Sequence, residues 1–120
     1  MAQHNETGTF GEQLAEEYLL KNGYKILEKN YRFSKAEIDI IAKDLSENEI
    51  VFVEVKTRHS DYLVEPEFSV TLKKQKLIIS AAGRYLISRQ IDNWSRFDII
   101  SIILHPQGRE IRHIKGAFTA

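Results

Sequence analysis

The sequence predicts an α/β domain, one mixed β-sheet flanked by helices, in the order helix, strand, strand, strand, helix, strand, strand. Three observations carry this expectation. Two stretches repeat their apolar residues at helical spacing, and five stretches of strand length alternate or run apolar. The 120 residues are the length of one domain, enough to bury roughly two thirds of the unfolded surface without staples.

In GTFGEQLAEEYLLKNG, Leu14, Ala15, Tyr18 and Leu19 recur on one helical face and Asn22-Gly23 is a stop signal, so a first helix is expected over 9 to 22. YKILEKNYRF (24 to 33) mixes apolar and polar residues in strand fashion. AEIDIIAKD (36 to 44) alternates, with Ile38, Ile40 and Ala42 on one face and Glu37, Asp39 and Ile41 on the other. IVFVEVKTR (50 to 58) does the same, setting Val51, Val53 and Val55 against Phe52, Glu54 and Lys56. The LSEN between these two strands is short and polar, as a hairpin connection should be, although it lacks the Asn-Gly or Asp-Gly of a primed turn.

Residues 59 to 70 have no sustained period and contain Pro66, which reads as a loop. In TLKKQKLIISAAGRYLISRQ, Ile78, Ala81, Ala82, Tyr85 and Leu86 mark an amphipathic second helix with Thr71 as its N-cap. RFDIISIIL (96 to 104) is apolar on nearly both faces, hence a central strand. REIRHIKGAF (109 to 118) is a last strand beyond a turn at 106 to 108.

Composition excludes several classes of function. With 42% hydrophobic and 28% charged residues, the chain is neither disordered nor fibrous. It has no cysteine and so no disulfide, which fits a reducing compartment. The start, MAQHNETGTFGEQ, lacks the basic and apolar regions of a signal peptide, and no stretch approaches the roughly 18 apolar residues of a membrane span; a cytoplasmic protein is expected. Seventeen basic and 17 acidic residues cancel, so any site for a polyanion must be local. Histidines 4, 59, 105 and 113 have no ligand spacing, and no zinc site is expected.

Pairing the two alternating strands through LSEN sets Ile38 opposite Val55, Ile40 opposite Val53 and Ala42 opposite Val51, one continuous apolar patch. The other face then receives Asp39 opposite Glu54 and Glu37 opposite Lys56, with Cβ atoms roughly 4.5 to 5.5 Å apart. Opposed carboxylates repel unless a proton or a cation sits between them. The arrangement makes sense around magnesium, which takes one or two carboxylates plus water and substrate phosphates. A lysine beside it can hold water or stabilise a phosphate in the transition state.

Asp39 followed by Glu54-Val55-Lys56 resembles the D…(D/E)-x-K signature of the restriction-endonuclease-like superfamily, whose core order of helix, three strands, helix, strand matches the order above. GTFGEQLAEEYL, NYR, AEIDIIA, VFVEVKTR, the Lys-Gln of LKKQK and RFDII together resemble, nearly end to end, the YraN-like family, which is grouped with Holliday-junction-resolvase-like nucleases. Ala36 is a departure, since the family more often has glycine there.

The resemblance implies a restriction-endonuclease-like domain over 1 to 120 and a magnesium- or manganese-dependent endonuclease acting on DNA, including branched DNA, as a homodimer. It implies Asp39 and Glu54 as metal ligands, Lys56 as the catalytic lysine, the Val55 carbonyl as a further ligand, and Glu12 as the helix glutamate brought to the metal. Glu12 alone would read as a first-turn glutamate favoured by the helix dipole. Glu37 reads equally as a partner of Lys56 or as a group supporting the ligands, and Gln75 is within plausible reach of the site. Lys73, Lys74 and Lys76 crowd the first turns of the second helix, where the dipole opposes them; phosphate contact and a solvated face are both open readings. Arg58 joins them as a DNA-binding candidate, leading with His59 into a loop that reads as a substrate flap. Asp98 is expected to be structural, paired with Arg96 or a helix end. Trp94 and Tyr62 read as packing aromatics first and as rings that could stack on bases second. The rival reading is a nucleic-acid-binding or partner-binding adaptor that keeps the fold without catalysis, which the neutral net charge favours.

Overall fold

The computed structural model describes residues 2 to 60 and 70 to 120, with side chains from residue 8 onward. The chain forms α1 (Ala2–Lys21), β1 (Tyr24–Phe33), β2 (Ala36–Asp44), β3 (Glu49–His59), α2 (Leu72–Ser88), β4 (Ser95–His105) and β5 (Gly108–Phe118). Helix α1 starts at Ala2 rather than at residue 9, since Gly8 costs a helix interior only about 1 kcal/mol and no proline intervenes. Among the described residues, no helix is long and apolar enough to cross a membrane.

The five strands lie in chain order, β1 to β5, in one sheet. The pairs β1·β2, β2·β3 and β4·β5 are antiparallel, whereas β3 and β4 run parallel and are joined through α2. A parallel pair needs such a crossover, and it explains why β3 and β4 are apolar on both faces. Val51 and Val53 of β3 and Ile100 and Ile102 of β4 pack with Leu14, Ala15 and Leu19 of α1. Phe52, Phe97 and Ile99 face the other way, against Ile78, Ala81, Ala82 and Tyr85 of α2. Phe52 and Phe97 stack at 5.5 Å between centroids, and Phe97 on Phe118 at 5.1 Å. Thr71 caps α2, its side chain accepting from Lys74 N at 3.2 Å.

The β2–β3 hairpin turns over residues 45 to 48, where Asp44 Oδ1 accepts from Ser46 N (3.1 Å) and Glu47 N (3.2 Å) and Asn48 takes φ 56°. Ile40 pairs with Val53 and Ala42 with Val51, as the alternation requires. The ladder stops there. The expected rungs of Asp39 with Glu54, Ile38 with Val55 and Glu37 with Lys56 do not form, because Val55 N donates to the Asp39 carboxylate at 2.7 Å, so that a side chain takes the place of the β2 backbone.

On the other edge of β2, Lys29 pairs with Ile40 and Tyr31 with Ile38, but the intervening rung of Asn30 with Asp39 is missing, and Asn30 holds φ 53°. The left-handed conformation suits asparagine. Across this kink β2 changes side: Ile40 and Ala42 pack in the α1 layer, whereas Ala36 and Ile38 join Ile41 in the α2 layer. The expected common face of Ile38 and Ile40 is therefore corrected. Asp39 occupies the kink itself.

Candidate functional site

Four elements converge where β2 and β3 part. The kink supplies Asp39, β3 supplies Glu54 and Lys56, the first turn of α2 supplies Lys74, and α1 supplies Glu12. Two clefts of ≈ 340 Å³ each share Asp39, Glu54 and Lys74 as walls. One extends past Lys35, Glu37 and Lys73, the other past Glu12, Val55 and Lys56.

Charge is crowded at the shared wall. Glu54 is 5% exposed. Its Oε2 lies 2.5 Å from Lys74 Nζ and 3.6 Å from Lys56 Nζ. Burial first, and then the charge of Glu54, push the Asp39 carboxyl up to about 8, although the Val55 N–H favours its ionised form. Burial, followed by the neighbouring Lys74, lowers Lys56 from its ordinary value. For Lys74 burial acts the same way, but the hydrogen bond and charge of Glu54 outweigh it and raise the group.

Glu12 reaches this centre because of the residue before it. A Cβ on Gly11 would collide with the Thr57 hydroxyl, so glycine lets α1 close onto β3 here without displacing Thr57. Burial, then the charge of Glu37, raise the Glu12 carboxyl. The Asn30 amide nitrogen offsets part of that by donating to Glu12 Oε1 (3.1 Å) and Glu37 Oε2 (3.3 Å). Glu37 pairs with Arg32 at 3.7 Å and not with Lys56, a consequence of the change of side in β2.

The remaining candidates are dispersed. Gln75 donates to the Val70 carbonyl at 3.0 Å, tying down the start of α2, and lines neither cleft. Lys73 is exposed on a cleft wall; Lys76 is exposed away from both clefts. Arg58 is half-buried on β3, beside Ile103 of β4. The flap expected over 59 to 70, with Tyr62, falls largely on residues 61 to 69, outside the described residues. Trp94, expected to pack, is 85% exposed ahead of β4.

Among the described residues, no three His, Cys, Asp or Glu side chains form a preassembled metal cage. The donors present still fit a hard divalent cation. Asp39 and Glu54 raise each other's need for positive charge, Val55 stands beside them on the cleft wall, and magnesium takes its other oxygens from water and phosphate. Two contributors escaped the sequence reading. Asn30, which bridges Glu12 and Glu37, was visible only as part of NYR, and Lys74 was legible as one lysine of a run but not as the partner of Glu54.

A family model described as uncharacterised protein family UPF0102 matches residues 11–102, a segment that holds every residue of this centre. The chain belongs to the UPF0102 family. A UPF0102 protein of Flavobacterium psychrophilum is 47% identical over 98% of both chains. One of Geobacter metallireducens is 48% identical over 98% of this chain and 97% of its own. One of Clostridioides difficile is 48% identical over 96% of this chain and 98% of its own.

Proposed function

We propose that this UPF0102 protein is a magnesium- or manganese-dependent endonuclease that hydrolyses DNA phosphodiester bonds, with branched or otherwise structured DNA among its candidate substrates. The observation that carries the reading is the pair of mutually repelling carboxylates, Asp39 and Glu54, with Lys56 against them at the wall of an open cleft. A strongly perturbed carboxylate set against a second one at an open cleft marks a functional site more than a structural one.

Asp39 and Glu54 would hold the cation with the Val55 carbonyl, and Glu12 would tune them from α1. The bound cation supplies a Lewis acid for the phosphate and a more acidic water. Lys56, half-buried and lowered in pKa, is placed to hold that water or to stabilise charge developing on the phosphate. Lys73 and Lys74 on the wall of one cleft would contact the DNA backbone, with Lys76 and Arg58, which lie outside both clefts, as further contacts along a longer substrate. A branched substrate with two-fold symmetry calls for a homodimer.

The test is cleavage of a labelled panel (single strand, linear duplex, flap and four-way junction) with Mg²⁺ or Mn²⁺, comparing the intact protein with Glu54→Ala and Lys56→Ala. Metal-dependent cutting that disappears in both variants is the expected result; cutting that survives both would belong to a contaminant and sink the proposal. Millimolar Mg²⁺ should also raise the melting temperature of the intact protein and leave Glu54→Ala unmoved. The neutral net charge favours a second reading, a non-catalytic nucleic-acid or partner-binding adaptor. Junction binding without cutting, unchanged in Lys56→Ala, would select it.

A further inference from the structure

Glu54 carries one negative charge and has two ammonium groups on the same oxygen, Lys74 Nζ at 2.5 Å and Lys56 Nζ at 3.6 Å. One of the two is surplus to neutralising Glu54 itself, and both also feel the charge of Asp39. The side chain of Lys56 is 29% exposed and rises from the middle of β3, while that of Lys74 is 43% exposed and comes from the first turn of a helix. The helix dipole repels a cation there, so the Lys74 head group is held chiefly by Glu54, with a smaller pull from the neighbouring Asp39. Lys74 also borders both clefts, with open space on either side of it.

We propose that Lys74 is the resident counter-ion of the Glu54 carboxylate, which it must vacate before a divalent cation binds Asp39 and Glu54, swinging into the cleft as it leaves. This rests on the metal-site reading above. It gives the protein a site that is charge-balanced without metal and adds a regulatory step that the Asp39–Glu54 pair alone does not have. The step is a competition between two cations for one carboxylate, and its sign is opposite to that of a ligand. Removing a metal ligand weakens metal binding, whereas removing a competing ammonium strengthens it.

The experiment is calorimetric titration of the full chain with Mn²⁺ in the absence of DNA, using the intact protein, Lys74→Met, Lys74→Arg and Lys43→Met. Lys43 pairs with Ile50 away from the clefts and controls for the loss of one positive charge. Lys74→Met should bind Mn²⁺ about tenfold more tightly, the equivalent of ~1.4 kcal/mol. Lys74→Arg should stay near the intact protein, and Lys43→Met should not change. Unchanged or weaker binding by Lys74→Met overturns the inference while leaving the metal site standing. An intact protein that binds no Mn²⁺ overturns the metal site itself, and this inference with it. A second readout needs no variant: the rate at which an amine-acylating reagent modifies Lys74, followed by mass spectrometry, should rise several-fold on adding Mn²⁺ while that of Lys43 stays constant. A Lys74 rate indifferent to Mn²⁺ would equally overturn the proposal.

Discussion

Asp39 and Asp98 are carboxylates on strands two apart in the same sheet, both shielded from water, and the fold treats them in opposite ways. Asp98 is 0% exposed and receives Arg96 Nε at 2.9 Å, Arg96 Nη2 at 3.0 Å, His113 Nε2 at 2.6 Å and Gly116 N at 3.0 Å. Burial alone would raise its pKa, but the hydrogen bonds from His113 and Arg96 outweigh burial and hold it below the ordinary value. Among the described residues, Asp39 accepts one N–H, from Val55, and faces Glu54; burial and that neighbour push it up to about 8. A shielded carboxylate is thus no sign of function by itself. What separates the two is whether the fold supplies the balancing charge or leaves the group wanting it.

The sharpest way to break the comparison is at its satisfied end. Asp98→Ala should cost about 3 kcal/mol, because it removes at once the acceptor of the His113 ring, of the Gly116 N–H and of two Arg96 donors at a fully buried position. Arg96 also reaches Asp44 Oδ2 (3.1 Å), Glu49 Oε1 (3.0 Å) and Tyr24 Oη (2.8 Å), so the loss spreads to both strands of the β2–β3 hairpin at its turn and to β1. Urea unfolding measures it. A midpoint that hardly moves would show that the network around Asp98 is not what holds these strands.

The next effect is set by the approach of α1 to the open end. Gly11→Ala places a methyl 1.8 Å from Thr57 Oγ1 and 3.1 Å from Thr57 Cβ, so either Thr57 or the helix must shift. A loss of about 1 to 3 kcal/mol is expected from the overpacking. Because Glu12 is carried by the same turn, the Mg²⁺-induced gain in melting temperature should shrink as well. Adding Thr57→Ala removes the closer of the two contacts and should restore part of both, a coupling that independent sites would not show.

Much of this contrast was legible in the sequence, and the part that was not has a physical cause. Alternation in AEIDIIAKD and VFVEVKTR gave the hairpin register from Ile40–Val53 to Ala42–Val51, and the apolar RFDIISIIL gave the central strand, because periods of two survive wherever backbone pairs with backbone. The rung at Asp39 escaped because a side chain interrupts that pairing, and strand alternation has no term for a carboxylate that accepts the next backbone N–H. Asn30 turned both its own strand and β2 through one positive φ, a choice that single residues reveal weakly. The pairing of Asp98 with Arg96 could be read two residues away in RFD. Its pairing with His113 could not, since it depends on how β5 registers on β4.

The change smallest in structure is the most discriminating, since it concerns the unsatisfied end alone. The folded state raises Asp39 from 3.8 to about 8, so its contribution to stability is present in full below the ordinary carboxyl value and is lost as pH rises through 8. Asp98 and Asp44 are lowered, and their contributions are present above the ordinary value and lost as pH falls through the folded ones. Stability of the intact protein should therefore fall on both sides of a weakly acid optimum. Asp39→Asn keeps an oxygen for the Val55 N–H and gains an amide that can donate to Glu54. It should be more stable than the intact protein at pH 8 and indistinguishable from it in acid. Its alkaline decline should flatten while the acid limb, which belongs to Asp98 and Asp44, stays in place. A divalent cation needs both carboxylates ionised, so the Mg²⁺-induced gain of the intact protein should grow with pH towards 8 and be absent in Asp39→Asn. A substitution that stabilises the fold while removing its response to metal would separate the two carboxylates by purpose; an Asp39→Asn protein as fragile as Asp98→Ala would make both of them structural.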